Sequence, residues 1–205
     1  SPSSTWSHKN EEPTPGGCAV PAGGGVVLYG GGLDSTALLI ALVQKVPQEA
    51  LVVLHIDYGQ KAALHERAAA KHFCTKYGVE LVTLPLPLNE IAESDILRRP
   101  RGVKGSGRNL LEGRNAIFAM VAATLAATRG LRSVYLGYHQ EPETAPFPDA
   151  TWRSLSGMAV CMDTCYKHPV QPVAPFASWT RAEILAAAVA ADADILTHSH
   201  TCYAA

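Results

Sequence analysis

The sequence predicts an α/β protein with an open, mostly parallel sheet and helices on both faces. Three observations lead to this fold class. Short apolar runs that are continuous rather than alternating, such as residues 51–56, are typical of strands buried on both faces. Longer helical segments separate these runs, and strands joined through helices pair in parallel. A cluster of glycines joins the first strand directly to the first helix, and ligands bind at this edge of such sheets.

The elements can be placed in chain order from these patterns. Gly78 and Gly130 each follow a helical segment, where glycine adopts the left-handed conformation that ends a helix. Thr180 and Glu183 form a capping box that begins the last long helix. The first predicted strand starts at residue 26, and the other predicted strands cover residues 51–56, 79–84 and 133–137. The first predicted helix contains the apolar run 37–43. The later predicted helices cover residues 62–77, 112–128, 151–166 and 180–191.

Length and composition indicate one compact domain over residues 26–205, after a disordered tail over residues 1–25 that is rich in Ser, Pro, Gly and Glu. The formal net charge of −1 gives the chain no general attraction to nucleic acid or to an anionic membrane. No apolar run reaches the length of a transmembrane helix, and we expect no signal peptide because no basic segment is followed by an apolar run near the start. The five scattered cysteines favour a reducing cytoplasm over a disulfide framework.

The glycine turn is the strongest functional signal. Gly30, Gly31 and Gly32 lie between the first strand and a helix start, where backbone N–H groups and the helix dipole can hold an anion. Asp34, Ser35 and Thr36 supply capping and phosphate-facing oxygens. We therefore expect a nucleotide phosphate site here, with a plain strand-to-helix turn as the alternative.

Three phosphate-binding loops can be compared with this turn. A Walker loop is excluded because no lysine follows until Lys45, and the dinucleotide fingerprint fails because Ser35 stands at its third glycine. The pyrophosphate-loop pattern Ser-Gly-Gly-x-Asp-Ser fits from Gly31 to Ser35, with Gly30 in place of its first serine.

Further segments recur at defined places along the chain. Residues 57–60 (Asp-Tyr-Gly-Gln) follow the second predicted strand, and 146–149 (Pro-Phe-Pro-Asp) come after the fourth. Residues 113–115 (Gly-Arg-Asn) stand at a predicted helix start, and 201–203 (Thr-Cys-Tyr) lie near the end. In this order and spacing they resemble the 7-cyano-7-deazaguanine synthase (QueC-like) family of pyrophosphate-loop ATP pyrophosphatases, over residues 26–203. The resemblance implies an adenine nucleotide alpha-hydrolase-like, Rossmann-like fold. It also implies an ATP-dependent ligase that converts 7-carboxy-7-deazaguanine and ammonia into the nitrile. The implied course passes through an acyl adenylate, an amide, and a second activation with loss of water.

The resemblance also implies roles for individual residues. Asp34, Ser35, Asp57 and Arg114 are the implied catalytic residues, and Asp34 is the expected Mg²⁺ ligand because that ion prefers hard oxygen donors. The basic insert at residues 98–108 is expected to close over the phosphates as a lid. The ATP-binding set is Tyr29, Gly30, Gly31, Gly32, Leu33, Asp34, Ser35, Thr36, Asp57, Gln60 and Arg114, and the set for the deazaguanine is Asn115, Tyr138, Phe147 and Asp149.

A structural role is the alternative at several of these positions. Asp34 can be only a helix cap, and Asp57 can only end its strand. Arg114 can pair with Glu112 or Glu66 instead of binding a ligand.

The family's zinc site is expected to be missing. The resemblance places the first cysteine of a C-terminal zinc cluster at Cys202, and its other cysteines have no counterpart before Ala205. Cys161, Cys165 and His168 would share one helical face and could rebuild a tetrahedral metal site with Cys202. We expect instead that the two helical cysteines are small buried apolar groups. His198 and His200, near Cys202, are a second metal candidate, but we expect them to lie in a solvated tail. The prediction is ATP and Mg²⁺ without a further metal.

Other functions stay open at this point. The chain could be a divergent paralogue that joins the activated carboxylate to an amine of a protein or nucleic acid. It could modify tRNA, although the near-zero charge and the lack of a Cys-x-x-Cys pair argue against this. It could also be an inactive nucleotide-binding module, or, least favoured, a nicotinamide dehydrogenase. The resemblance implies a homodimer with a small-molecule substrate and no membrane partner.

Overall fold

A computed structural model describes residues 23–98, 111–140 and 148–200 of the chain. The strands in these residues are β1 (Gly25–Leu28), β2 (Leu51–Asp57), β3 (Glu80–Pro85), β4 (Ser133–Tyr135) and β5 (Gln171–Val173). The α-helices in the described part of the chain are α1 (Leu33–Val43), α2 (Ala63–Tyr77), α3 (Arg114–Thr128), α4 (Trp152–Cys165), α5 (Arg181–Ala191) and α6 (Ile195–His198).

The strands form one sheet in the order β3-β2-β1-β4-β5, and every neighbouring pair is parallel. The fold class predicted from the sequence is therefore confirmed. The chain moves outward from β1 in one direction through β2 and β3, then returns to β4 on the other side of β1. This reversal creates a crevice between the carboxyl ends of β1 and β4, which is where ligands bind in sheets of this type.

Two apolar cores cover the two faces of the sheet. One contains Val26 and Leu54 from the sheet together with Phe118 of α3 and Met162 of α4. The other contains Val27, Val53 and Tyr135 with side chains from α1, α2, α5 and α6, and Phe73 of α2 is fully buried in it. Because both faces are covered, the central strands consist of continuous apolar residues, which explains the pattern seen in the sequence.

The element ends follow local chemistry. Gly78 lies in the left-handed region at the end of α2, and Gly130 has the same conformation after α3. Thr180 and Glu183 form the expected capping box at the start of α5. Thr151 forms a second capping box at the start of α4, with Ser154 as its partner.

The structure adds elements and moves boundaries. Gly25, the last residue of the predicted tail, is the first residue of β1 and pairs with Leu51 and Ser133, whereas residues 1–22 of that tail lie outside the described residues. Sequence patterns did not predict β5, which has only three residues, or the single turn of α6. In the parts of the chain that the structure describes, no helix is long and apolar enough to cross a membrane.

Candidate active site

A cleft of about 380 Å³ lies at the carboxyl edge of the sheet, in the crevice between β1 and β4. Its floor comes from the strand ends, and its walls come from the starts of α1, α2, α3 and α5. The predicted site residues that line it are Tyr29, Gly30, Gly32, Asp34, Ser35, Arg114, Asn115 and Tyr138. Lining residues that the sequence analysis did not assign to the site include Tyr58, Glu66, Phe118, Gly137, His139 and Arg181.

The glycine turn presents open backbone to this cleft. No described atom lies within 4 Å of a Cβ built on Gly30, and the nearest one to a Cβ on Gly32 is 3.8 Å away. No described side chain caps α1, whose N-cap is Gly32. Helix α1 therefore points an uncapped N-terminus, with its partial positive charge, at open space beside two glycines.

Gly31 has a different role from the one predicted for it. It does not line the cleft, and it turns toward α2 with a φ of +74°. A Cβ built on Gly31 would lie only 2.5 Å from the Cα of Glu66. Gly31 therefore lets the turn pack against α2, and its conformation and its surroundings both require glycine.

The hydroxyl groups near the turn divide into two sets. The Ser35 hydroxyl accepts from the Gly30 N–H at 3.3 Å and donates to the Gly32 carbonyl at 3.1 Å, so it stays at the cleft. Thr36 is fully buried and exchanges a 2.7 Å hydrogen bond with the Tyr29 hydroxyl inside the core. The expectation that Thr36 supplies a phosphate-facing oxygen is therefore wrong. Leu33 also lies outside the cleft lining and packs against the core.

A buried histidine of β2 hydrogen-bonds to the backbone just after β1. His55 of β2 is only 1% exposed, and its Nδ1 lies 3.2 Å from the Tyr29 carbonyl. Burial lowers the pKa of His55, so the ring is neutral and its Nδ1–H is the donor to that carbonyl. The contact fixes the last peptide before the glycine turn.

Asp34 is held by two basic side chains. The Arg181 guanidinium contacts both of its oxygens, at 2.8 Å and 3.4 Å, and His139 Nε2 lies 3.9 Å from Oδ2. The alternative interpretation of Asp34 was that it only caps α1. The structure does not support this, because the N-cap of α1 is Gly32 and no described side chain caps the helix. Arg181 was missed because it is the first residue of α5, and β5, which brings α5 to this edge, was not predicted.

Arg114 begins α3 on the opposite wall of the cleft. Its Nη1 donates to the Tyr58 hydroxyl at 3.0 Å, and its guanidinium lies 5.5 Å from the centre of the Tyr58 ring. The Tyr58 ring also contacts Phe118, one turn further along α3, at 5.1 Å between centroids. These groups form an aromatic surface with a fixed positive charge at its edge. Phe118 follows Arg114 by four residues, so helical spacing could have identified it.

Glu66 of α2 brings a carboxylate to the same wall. Gln60 Nε2 donates to Glu66 Oε2 at 2.5 Å. Burial raises the pKa of Glu66, against the effects of this hydrogen bond and of the Arg114 charge, both of which lower it. Gln60 itself is buried and also accepts from the Tyr58 N–H at 2.8 Å. The Gln60 amide therefore organises the loop after β2. ATP contact was the predicted role of Gln60, but its side chain is already used by these protein groups.

Asp57 and the start of the basic insert bind each other. Asp57 Oδ1 accepts from Arg98 Nη2 at 2.6 Å and from the Gly59 N–H at 3.1 Å. Asp57 does not line the cleft, where the predicted nucleotide contact would be made. Its carboxylate instead holds Arg98 beside β2. The other basic residues of the predicted lid, at positions 99–108, lie outside the described residues.

Asp149 caps a helix instead of facing an open pocket. Its Oδ2 accepts from the Asn115 N–H at 2.9 Å, in the first turn of α3. The Tyr138 hydroxyl donates to the Asp149 carbonyl at 2.7 Å, and burial raises the pKa of Tyr138. The predicted contact of the Asp149 carboxylate with the base is therefore replaced by support of α3, while Tyr138 stays at the cleft. Phe147 lies outside the described residues.

The helical cysteines are exposed, contrary to the expectation that they are buried apolar groups. Helix α4 ends at Cys165, and Tyr166 is already extended, so His168 does not continue the helical face. Within the described ranges, no third metal-ligating side chain joins Cys161 and Cys165. Cys202 lies outside those ranges.

The strand order, the cleft at its reversal point and the uncapped glycine turn place the chain in the class of α/β nucleotide-binding folds. The family model for "Queuosine biosynthesis protein QueC" matches residues 24–205. The chain therefore belongs to the QueC family. The family and the enzyme class predicted from the sequence are confirmed.

Curated relatives that match the chain carry the name 7-cyano-7-deazaguanine synthase. The protein from Clostridium botulinum (strain Loch Maree / Type A3) is 28% identical over 165 residues, which cover 77% of this chain and 74% of the relative. The protein from Campylobacter curvus (strain 525.92) is 27% identical over 172 residues, which cover 78% and 75%.

A solved structure shares the architecture. It is a 4-thiouridine synthetase in complex with RNA and with bound ATP, at a TM-score of 0.50 and 18% sequence identity. The match covers 89% of this chain and 45% of the other, so this chain spans less than half of that protein's length. At this identity the likeness concerns the fold alone.

Proposed function

We propose that the chain uses ATP to activate the carboxylate of 7-carboxy-7-deazaguanine and joins it to ammonia, with 7-cyano-7-deazaguanine as the final product. The observation that carries the proposal is the uncapped α1 N-terminus beside open glycine backbone, in a chain of the QueC family. The names of the curated relatives support this substrate.

The proposed chemistry needs ATP because a carboxylate is a poor electrophile. A carboxylate oxygen attacks the α-phosphorus of ATP, pyrophosphate leaves, and an acyl adenylate forms. Ammonia attacks the carbonyl carbon and AMP leaves with the first carboxylate oxygen, which gives the amide. In a second round the amide oxygen attacks ATP, and the C–O bond breaks as the nitrile forms. The second oxygen leaves in the second AMP, so two ATP give two AMP and two pyrophosphate.

The residues of this chain act in the proposal by positioning and by charge. The N–H groups at the start of α1 and the Ser35 hydroxyl hold the β- and γ-phosphates as they become pyrophosphate. Arg114 is a fixed cationic fork that suits the α-phosphate or the substrate carboxylate. The Tyr58 and Phe118 rings beside it provide an apolar wall for a flat bicyclic base.

Asp34 fits the Mg²⁺ that the fold implies, since its two oxygens are hard donors at the mouth of the glycine turn. A bound Mg²⁺ would neutralise phosphate charge there. The Arg181 guanidinium, now on Asp34, can exchange that carboxylate for a phosphate, because both partners suit a planar bidentate donor. Arg181 is 57% exposed at its side chain, so this exchange requires no rearrangement of the core.

The test is incubation of the purified chain with 7-carboxy-7-deazaguanine, Mg²⁺-ATP and ammonium, followed by mass spectrometry. The nitrile, with two AMP per product, supports the proposal. Accumulation of the amide alone would favour the divergent paralogue, and the absence of AMP would contradict both. Ser35→Ala is the matched variant because it removes one hydroxyl at the turn, and Thr36→Ser is the control because it keeps the buried hydroxyl.

Free ammonia as the nitrogen donor and a homodimer are parts of the same proposal. Product formation that depends on ammonium in the assay above tests the donor. Light scattering of the purified chain tests the oligomeric state, with a mass twice 21.7 kDa expected.

A further inference from the structure

A histidine–aspartate cluster lies where α6 packs on α2. It consists of His72 from α2, Asp194 at the N-cap of α6, and His198 at the end of α6. One ligand atom from each residue lies within 4.8 Å of the other two. Asp194 and His198 are four residues apart, so one turn of helix puts both on the same side. The cluster uses none of the residues that line the cleft.

One nitrogen of each ring is available to a ligand. His72 Nε2 is buried without a hydrogen-bond partner and lies 3.4 Å from Asp194 Oδ2. The Thr197 hydroxyl lies 2.8 Å from His198 Nδ1, so Nε2 is the nitrogen that can ligate. The His72 and His198 rings stack at 3.8 Å with only 5° between their planes. The lone pair of a ring nitrogen lies in the plane of its ring, so His198 must turn out of this stack before its Nε2 can share an ion with His72.

The charges around the cluster favour a cation. Asp192 and Asp194 both contact Lys76, whose Nζ lies 2.6 Å from Asp192 Oδ2 and 2.7 Å from Asp194 Oδ2. The two carboxylates and the one ammonium sum to a net negative charge. Lys76 keeps Asp192 as its partner if Asp194 turns to a metal, and Asp192 is also held by the Tyr77 hydroxyl.

We propose that His72, Asp194 and His198 bind one divalent transition-metal ion, with Zn²⁺ as the best match and water as the fourth ligand. Two imidazoles and a carboxylate suit Zn²⁺ better than Mg²⁺ or Ca²⁺. Tetrahedral ligands at Zn²⁺ bond lengths lie about 3.4 Å apart. The His72 and Asp194 ligand atoms already have this spacing. Rotation of the exposed His198 side chain would bring its Nε2 to the same distance from both.

The proposed ion is structural. It would fasten the segment over residues 192–200 to α2, and the His200 N–H in that segment donates to the Gly31 carbonyl at 2.8 Å. The metal would thus support the back of the glycine turn. The set shares no residue with the cysteine cluster that the resemblance places from Cys202 onward, and it replaces the expectation of a chain without a further metal.

The test is metal binding by the purified chain after chelator treatment. Titration calorimetry with ZnCl₂ is expected to show one site per chain, Co²⁺ to give the visible spectrum of a tetrahedral site, and Zn²⁺ to raise the melting temperature. His198→Gln changes an exposed residue that the core does not need, and it is expected to weaken Zn²⁺ about a hundredfold. His72→Ala should do the same, with circular dichroism to verify folding.

Two control variants separate this site from the other candidates. His168→Ala removes an exposed histidine, and Cys202→Ser removes the cysteine that the resemblance assigns to zinc. Both are expected to bind Zn²⁺ like the unmodified chain. Unchanged Zn²⁺ affinity in His198→Gln, no Zn²⁺ binding by the unmodified chain, or loss of binding in Cys202→Ser would each overturn the proposal. None of these readouts depends on ATP or on catalysis.

Discussion

The contact between Gly31 and α2 can be tested with a single methyl group. Gly31→Ala puts a Cβ 2.5 Å from Glu66 Cα at a φ of +74°, while Gly78→Ala puts one at a φ of +67° with no described atom within 4 Å. Both variants incur the left-handed penalty of about 1–2 kcal/mol. Both also gain the same small amount from the stiffer unfolded chain. Only Gly31→Ala adds a backbone collision, which costs about 1–3 kcal/mol as overpacking.

The assay is urea denaturation of both variants, followed by far-ultraviolet circular dichroism. We expect the free energy of unfolding to be lower in Gly31→Ala than in Gly78→Ala by about 1–3 kcal/mol. We also expect a weaker affinity for ATP in Gly31→Ala alone, because the turn must move away from α2. Equal free energies of unfolding in the two variants would refute the close packing of the turn against Glu66.

Three further predictions follow from the site and its surroundings. Arg114→Lys should lower kcat/KM by about 10- to 100-fold, because the variant loses the planar fork and one charge-assisted hydrogen bond. The free energy of unfolding should change little. An unchanged kcat/KM would show that Arg114 takes no part in the reaction. Tyr29→Phe should lower the free energy of unfolding by about 0.5–1.5 kcal/mol in urea titrations, because it loses the buried bond to Thr36, and an unchanged midpoint would contradict that bond. Burial opposes ionisation of Asp192, but hydrogen bonds from Lys76 and Tyr77 hold its pKa at about 2, below the ordinary 3.8. Its contribution to stability is therefore complete above pH 3.8 and is lost as the pH falls through about 2; Asp192→Asn should show a smaller loss of melting temperature over that range.

Much of the fold could be predicted because its signals are local. The continuous apolar residues of β2, the glycine after α2 and the capping box at Thr180 each depend on neighbours in the sequence. The glycine turn was recognisable for the same reason. The short strand β5 has a proline in its centre and is partly exposed, so it carries no such signal.

The rest of the site depends on contacts between distant residues. Arg181 reaches Asp34 across 147 positions of the chain, and Arg98 reaches Asp57 across 41. The resemblance assigned Asp57 and Asp149 to ligands, but a polar group near a site is often used by the protein itself. Here one carboxylate holds Arg98 and the other caps α3.

The measurement that tests the central claim most directly is isotope transfer from the substrate carboxylate to AMP. The chain would be incubated with 7-carboxy-7-deazaguanine labelled with ¹⁸O in its carboxylate, together with Mg²⁺-ATP and ammonium, and AMP would be analysed by mass spectrometry. Activation at the α-phosphate predicts one ¹⁸O in each AMP formed. Unlabelled AMP, or ADP and phosphate in its place, would contradict the account.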